Sequence, residues 1–186
     1  CMFITEGILD ALDHSSPETL VGGKLGIDVT AAHQVEAPKH MYDDELLVEV
    51  QEFVPDVVGL HQYMVRTKNP ITVVSVNKTL SAKEYFDLLT PLHEYIRIIV
   101  FVDVQKNDLE NPYMLVWRVT NNIDAQRDIY TDGLMVGIDG TNKNQLDGFV
   151  REWPDDVDCT QSVVDSLKAK SLWDLDDELY NKYQLI

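Results

Sequence analysis

From residue 70 onward, the pattern of apolar and polar positions predicts strands that alternate with helices. Residues 71–76 and 96–102 consist mainly of apolar, β-branched side chains, which are typical of strands buried on both faces. Residues 127–130 predict a short third strand. The order strand, helix, strand, helix, strand predicts an α/β fold: a mostly parallel sheet flanked by helices in three layers, with right-handed crossovers.

Apolar residues at helical spacing predict the helices. Acidic residues at 43–45 open a helix of about 43–54, because they complement the helix dipole. Ser81 and Glu84 are spaced as a capping box for a second helix. Asn111 followed by Pro112 begins a third, whose expected buried side carries Tyr113, Val116, Trp117 and Thr120.

The two ends of the chain differ from this middle part. Residues 2–5 predict a short strand, and the glycines and the proline within 18–40 predict mostly loop. Asp158 and Gln161 are candidate caps of a last helix. The tail 172–186 is too apolar for a free tail, and we expect it to dock on this domain or on a neighbour.

Composition narrows the class of partner. The chain has 186 residues, with 32 acidic and 15 basic ones, and a formal charge of −17. That charge repels a phosphate backbone or an anionic membrane surface, which excludes nucleic acid as a favoured partner. The sequence offers no signal peptide and no apolar run of transmembrane length, so we expect a cytoplasmic protein. Because the pattern of residues 3–5 is that of a strand already in progress, we expect a piece of a longer protein.

Polar side chains at the predicted strand ends are the first candidate chemistry. In a parallel sheet, ligands bind outside the carboxyl ends of the strands, and there the sequence places Asn77, Lys78, Asp103 and residues 131–133. Asp103 could bind a metal or a ribose, although capping the following turn is the more common role. Four acids could bind magnesium, but only if folding brings their carboxylates together: Asp103, Asp108, Asp128 and Asp132.

A short phrase occurs twice and is the most specific motif. Residues 22–30 read GGKLGIDVT and residues 134–143 read LMVGIDGTNK, so that Asp28 and Asp139 correspond. Glycine permits close backbone approach, and Asp and Thr side chains bond nearby amides. The phrases could bind a ligand, but we favour structural turns built by Gly26, Asp28, Thr30, Gly137, Asp139 and Thr141.

Together these motifs resemble the C-terminal region of the UbiD family. Residues 8–17, ILDALDHSSP, and residues 23–30, GKLGIDVT, are similar to the strings that close the last domain of that family. Residues 100–103, 115–120, 123–128 and 136–143 then follow in family order, as a second copy. Val29, Asn121 and Ala125 depart from the family pattern. The resemblance divides the chain into the end of one C-terminal domain (1–66), a second copy (67–171) and the docking tail (172–186).

The resemblance implies a part of a decarboxylase of aromatic or unsaturated acids, such as the precursors of ubiquinone or menaquinone. In that family, prenylated FMN, a divalent metal, potassium and the catalytic residues belong to a central domain, for which this chain shows no segment. We therefore expect a non-catalytic portion that binds no cofactor, is inactive alone, and contributes to a homo-oligomer and to closure over the flavin-binding domain. The residues expected to face the substrate are Ile8, Leu9, Ala11 and Leu12.

Two other classes of function stay open. The chain could be a free-standing α/β module that binds a small anion or magnesium at the strand-end acids. It could also be a purely structural oligomerisation domain.

Overall fold

The structure, a computed structural model, describes residues 2–8, 21–26 and 36–184. A five-stranded sheet in the order β3-β4-β5-β7-β6 forms its centre, and β1 and β2 form a separate two-stranded antiparallel sheet. The strands are β1 (Met2–Ile8), β2 (Val21–Gly26), β3 (Val57–Tyr63), β4 (Ile71–Val76), β5 (Ile98–Asp103), β6 (Ile129–Asp132) and β7 (Met135–Asp139). The α-helices are α1 (Asp43–Phe53), α2 (Ala82–Leu89), α3 (Pro112–Asn122), α4 (Gln161–Ala169) and α5 (Asp177–Tyr183).

The three central strands of the large sheet are parallel, and both edge strands are antiparallel. β5 pairs in parallel with β4 on one side and with β7 on the other. β3 and β6 close the edges as antiparallel partners of β4 and β7. The predicted α/β class is thus confirmed. β6 cannot be parallel to β7, because only Gly133 and Leu134 join them and a parallel crossover needs a dozen residues or more.

One face of this sheet is covered by α1 and α2. Helix α1 contributes the fully buried Leu46 and Val50, and α2 contributes Tyr85, Phe86 and Leu89. The capping box of α2 is present, since Ser81 accepts from the backbone N–H of Glu84 and the Glu84 side chain accepts from that of Ser81. This face therefore carries the larger apolar core.

The other face is covered by α3, but not through the predicted stripe. The buried residues of α3 are Leu115, Arg118 and Asn122, whereas Tyr113, Val116, Trp117 and Thr120 are exposed. The predicted buried side of α3 was wrong because two polar residues of the helix, Arg118 and Asn122, have hydrogen-bond partners inside the fold. The Arg118 guanidinium donates to Asp156 at 3.0 Å, and the Asn122 amide donates to the carbonyl of Gly140 at 3.1 Å. These contacts turn the helix so that its apolar stripe faces outward.

Further corrections concern the two ends of the chain. Within residues 18–40, which are predicted to be mostly loop, the strand β2 was not expected; it pairs with β1. Helix α4 begins after Thr160, so Asp158 is not its N-cap residue. At the other end, α5 lies against the start of α3, where the Asn111 side chain donates to the carbonyl of Lys182 at 2.9 Å. There the Lys182 ammonium lies 3.7 Å from the centre of the Tyr113 ring.

Candidate functional site

The carboxyl ends of β4, β5 and β7 converge, as the parallel arrangement requires. Lys78, just beyond β4, donates to the Thr141 hydroxyl at 2.7 Å, to the carbonyl of Asn142 at 3.1 Å and to the Asp147 carboxylate at 2.6 Å. The Lys78 and Asp147 side chains are only 5% and 7% exposed. This lysine is therefore fully engaged within the protein.

The second copy of the repeated phrase forms a turn whose side chains bond mostly to one another, although the buried Asp139 Oδ2 accepts no hydrogen bond among the described residues. Asp139 accepts from the backbone N–H of Thr141 at 2.9 Å and also from its hydroxyl. The Lys143 ammonium donates to the carbonyls of Asp139 and Thr141 at 2.9 and 2.6 Å, and lies 3.3 Å from Asp139 Oδ2. Asp139 and Lys143 are almost wholly buried. A buried charge is tolerated when it has such partners, so these contacts let the turn lie inside the fold.

Two more acids surround this turn. Asp103 accepts from the backbone N–H of Asn142 at 2.7 Å, and burial raises the pKa of its carboxyl. Asp128 accepts from Arg127 Nε and Nη2 at 2.7 and 2.6 Å, and burial raises its pKa as well. Burial lowers the pKa of the Lys143 ammonium. We call the set Lys78, Asp103, Asp128, Asp139, Thr141 and Lys143 the carboxyl-edge network.

The four acids proposed as a magnesium set do not converge. Asp132 lies at the opposite edge of the sheet from Asp103, because β6 runs antiparallel to β7. For the same reason, residues 131–133 were wrongly assigned to the carboxyl edge. Asp108 accepts instead from the backbone N–H of Glu110 at 2.9 Å. Within the part of the chain that the structure describes, no three His, Cys, Asp or Glu side chains are grouped to hold a metal.

Two glycines of the second phrase allow close packing. A Cβ at Gly137 would collide with the ring of Phe86. A Cβ at Gly140 would lie 2.7 Å from Val119 Cγ2 and 3.1 Å from the carbonyl of Phe101. Neighbouring elements therefore require glycine at both positions.

The first copy of the phrase is described only in part. Gly26 ends β2 and pairs with Met2, whereas Gly137 lies in the middle of β7 and pairs with Tyr130. Both glycines therefore lie on the second strand of an antiparallel pair. Ile8 is the last residue of β1. The other positions singled out there lie outside the described residues: Leu9, Ala11, Leu12, Asp28 and Thr30.

The amino edge of the parallel strands holds a cavity that the sequence did not indicate. Its volume is about 530 Å³. Arg97, just before β5, is 8% exposed and donates to the carbonyls of Glu36 and Leu134 at 2.9 and 3.3 Å. Its Nε is buried and has no acceptor among the described residues. The other lining residues are Ala37, Pro38, Lys39, Thr90, His93, Glu94, Asp132 and Gly133.

An apolar groove of about 260 Å³ lies between α3 and the sheet. It is lined by Tyr63, Met64, Ile71, Val73, Val100, Pro112, Leu115, Val116, Val119 and Thr120. The exposed Val116 also borders a second, shallower depression beside Trp117 and Tyr183. The sheet face under α3 is thus only partly covered by the described residues.

Lys143 and Arg97 were missed as candidate residues. Lys143 ends the second phrase, but nothing in its sequence neighbourhood showed that it would be buried. Arg97 stands beside an apolar run, where a single basic residue is usually a strand end in solvent. Among the described residues, no helix is long and apolar enough to cross a membrane.

Comparison with known proteins gives a family match. The model of the 3-octaprenyl-4-hydroxybenzoate carboxy-lyase C-terminal domain matches residues 41–160. Two uncharacterised proteins from Helicobacter pylori strains J99 and 26695 are each 44% identical over 183 residues, which is 98% of this chain. The chain spans 30% of the length of these relatives.

Solved structures of UbiD-class proteins show likeness over part of the chain. The enzyme HmfF from Pelotomaculum thermopropionicum, in complex with prFMN, matches with 23% identity and a TM-score of 0.48 over 55% of this chain and 25% of that one. The vanillic acid decarboxylase of Sedimentibacter hydroxybenzoicus in closed form matches with 19% identity and a TM-score of 0.48, over 69% of this chain and 32% of that one.

Proposed function

The chain belongs to the family of the 3-octaprenyl-4-hydroxybenzoate carboxy-lyase C-terminal domain, and on this premise we propose that it is the C-terminal, non-catalytic portion of a decarboxylase of aromatic or unsaturated acids. Its role is to contribute to oligomerisation and to closure of the active site. The flavin-binding domain of the same polypeptide would hold the prenylated FMN, the divalent metal and potassium. We also propose that the enzyme acts in the cytoplasm, on precursors of quinones.

The observation that carries this proposal is the closed carboxyl-edge network. Lys78, Asp103 and Asp139 lie where an α/β enzyme usually holds its reacting groups. Each is instead engaged by the chain's own backbone or side chains. We infer that this edge stabilises the domain and acts on no substrate. Gly137, Asp139 and Thr141 then serve as a structural turn, and by correspondence so do Gly26, Asp28 and Thr30.

The side chains of the described residues are not suited to binding the flavin or its metal. They offer no set of three metal-binding side chains. The cavity at the amino edge is bordered by the acids Glu36, Glu94 and Asp132, which disfavour a flavin phosphate. The electron pair released by decarboxylation would be accepted by a cofactor held elsewhere in the polypeptide. What this portion can supply is a covering surface that excludes water, and we propose that Ile8, Leu9, Ala11 and Leu12 form it.

The exposed face of α3 supports the assembly role. Val116 and Trp117 are 63% and 45% exposed. Val116 lines the apolar groove under α3, and both residues line the adjoining depression. Exposed apolar patches of this kind mark interaction surfaces in soluble proteins. We therefore propose that α3 contacts a second copy of the chain.

Activity measurements test the catalytic part of the proposal. We expect the purified chain, supplied with prenylated FMN, a divalent metal and potassium, to release no CO₂ from aromatic or unsaturated acids. A polypeptide of the relatives' full length should release it under the same conditions, and Leu12→Ala in that polypeptide should lower kcat/KM. Robust decarboxylation by the chain alone would overturn the proposal.

Sedimentation tests the assembly part. We expect the chain to self-associate with rising concentration and Val116→Ser to shift it toward the monomer. Val48→Ser is the matched control, because Val48 is an equally exposed valine on α1, at 59%. A wild-type chain that stays monomeric at all concentrations contradicts the assembly role and leaves the catalytic prediction standing.

A further inference from the structure

We propose that the cavity at the amino edge of the parallel strands binds a small organic carboxylate through the Arg97 guanidinium. This site goes beyond the proposed function and does not rest on it. Because a strand rises about 3.3 Å per residue, the six residues of β5 place Arg97 about 20 Å from the carboxyl-edge network. The two features are therefore separate.

The first argument is a buried charge that the described residues leave without a counter-ion. Arg97 is 8% exposed, and among the described residues its guanidinium donates to two backbone carbonyls, those of Glu36 and Leu134. The other buried arginine, Arg118, is ion-paired with Asp156 at 3.0 Å. A buried cation is costly unless an anion or full hydrogen bonding compensates it. A carboxylate in the adjoining cavity would supply the missing charge.

The second argument is the number of free donors. A guanidinium carries five N–H groups in a planar fork, and the two carbonyls use two of them. Nε has no acceptor among the described residues, but it is buried, so the donors left for a ligand are on Nη1 and Nη2. Nη1 and Nη2 each keep one more hydrogen, and Arg97 lines the cavity. Such a fork matches the two oxygens of a carboxylate better than it matches a single acceptor.

The charges around the cavity select among anions. Lys39 is held by Glu94 at 2.6 Å, so it neutralises one acid of the rim. Glu36 and Asp132 also line the cavity, and the whole chain carries −17. A phosphate with nearly two negative charges is repelled more strongly by these acids than a carboxylate with one. The surroundings therefore favour a monoanion.

The size and the apolar lining fit an organic body on that carboxylate. A volume of about 530 Å³ lies within the range of small-molecule sites. Ala37, Pro38 and Leu134 supply the apolar part of the lining. We infer a ligand in which one carboxylate meets Arg97 and a small hydrocarbon part contacts these three residues.

The test is a titration of the purified, ¹⁵N-labelled chain with benzoate, followed through the Arg97 Nε–H signal. We expect a saturable shift in the wild type, and binding about ten- to a hundredfold weaker in Arg97→Lys, which keeps the charge but loses the fork. For the variant, binding is followed by calorimetry. Lys68→Met is the control, because Lys68 is an exposed cation outside the cavity, and it should bind like the wild type.

A second variant keeps the test independent of the folding of Arg97 variants. Asp132→Asn removes an exposed rim acid, so it should tighten benzoate binding and make inorganic phosphate a measurable competitor. The proposal is overturned if the wild type shows no saturable shift with benzoate, or if phosphate binds the wild type as well as benzoate does. It is also overturned if Asp132→Asn changes neither the affinity for benzoate nor that for phosphate.

Discussion

The two ends of the parallel strands differ in the partners of their buried cationic side chains. At the carboxyl ends, Lys143 is buried within 3.3 Å of Asp139, and Lys78 is buried against Asp147 at 2.6 Å. At the amino end, Arg97 is buried against backbone carbonyls, beside a cavity. Position at a strand end therefore does not determine function. The carboxyl edge, where α/β proteins usually bind ligands, is filled by the chain itself, and the amino edge is left open.

The difference has a structural origin. The turn after β7 folds back on itself, and its Asp, Thr and Lys side chains fill the space beyond the strands. On the amino side, the connection between β6 and β7 consists of Gly133 and Leu134 alone, with Gly133 in the left-handed region at φ 55°. A connection so short cannot fill the space beside β5, which contributes to the cavity.

The largest expected effect on stability comes from disrupting the carboxyl-edge network. Asp139→Ala leaves Lys143 buried without its nearest acid and removes the acceptor of Thr141, so we expect the free energy of unfolding to fall by about 3–5 kcal/mol. Urea denaturation measures this. Asp87→Ala, which breaks the exposed pair with Lys83, is the control and should cost at most about 1 kcal/mol. Equal losses in the two variants would show that the buried network adds no special stability.

A smaller effect is expected from the glycines of β7 and its turn. Gly137→Ala should destabilise by about 2–3 kcal/mol, because the new methyl group meets the Phe86 ring. Gly133→Ala should cost about 1 kcal/mol for its backbone angle alone, since nothing lies within 4 Å of a Cβ there. Phe86→Leu separates these causes in a double-mutant cycle. It should relieve part of the loss in Gly137→Ala and none of that in Gly133→Ala.

At the amino edge of the parallel strands, we expect the loss of the Arg97 charge to have little effect on stability. Arg97→Met removes two hydrogen bonds to carbonyls but also removes a buried cation, so we expect the free energy of unfolding to change by about 1 kcal/mol. Thermal unfolding with and without benzoate sharpens the comparison. Benzoate should raise the Tm of the wild type and leave that of Arg97→Met unchanged. A loss in this variant as large as that of Asp139→Ala would mean that the two edges are equally closed.

The smallest effect concerns pH. Burial raises the folded-state pKa of Asp103 above its ordinary 3.8, so the folded state binds a proton more tightly than the unfolded state. The stabilisation from this proton is present at low pH and is lost as pH rises from 3.8 through the raised pKa. Relative to Asp103→Asn, which cannot titrate, the wild type should therefore lose stability over that window.

Urea unfolding of both proteins between about pH 4 and 7 checks this difference. Asp44→Asn, at an exposed position on α1, is the reference for the removal of one acid from a chain of charge −17. A wild type that gains stability relative to Asp103→Asn with rising pH would contradict the assignment.

Local sequence signals were reliable where one element determines its own structure. The capping box at Ser81 and Glu84, the β-branched run of β4 and the Asn-Pro start of α3 need only neighbouring residues, and each is found in place. The strands β3 and β7 were missed. Residues 57–63 show no clean alternation, and residues 135–139 were interpreted as a turn motif although they pair with β5 and β6.

The sequence alone determined the α/β class, the position of most helices and the ordered phrases that tie the chain to its family. These depend on hydrophobic period, capping and motif, which are encoded within a few residues. The tertiary structure decided which face of α3 is buried and that Asp132 lies at the amino edge. It also decided that Lys143 is buried beside Asp139, and that Arg97 Nε has no hydrogen-bond acceptor among the described residues. Each of these depends on groups far apart in the chain, whose pairing is fixed only when strand direction and helix rotation are fixed together.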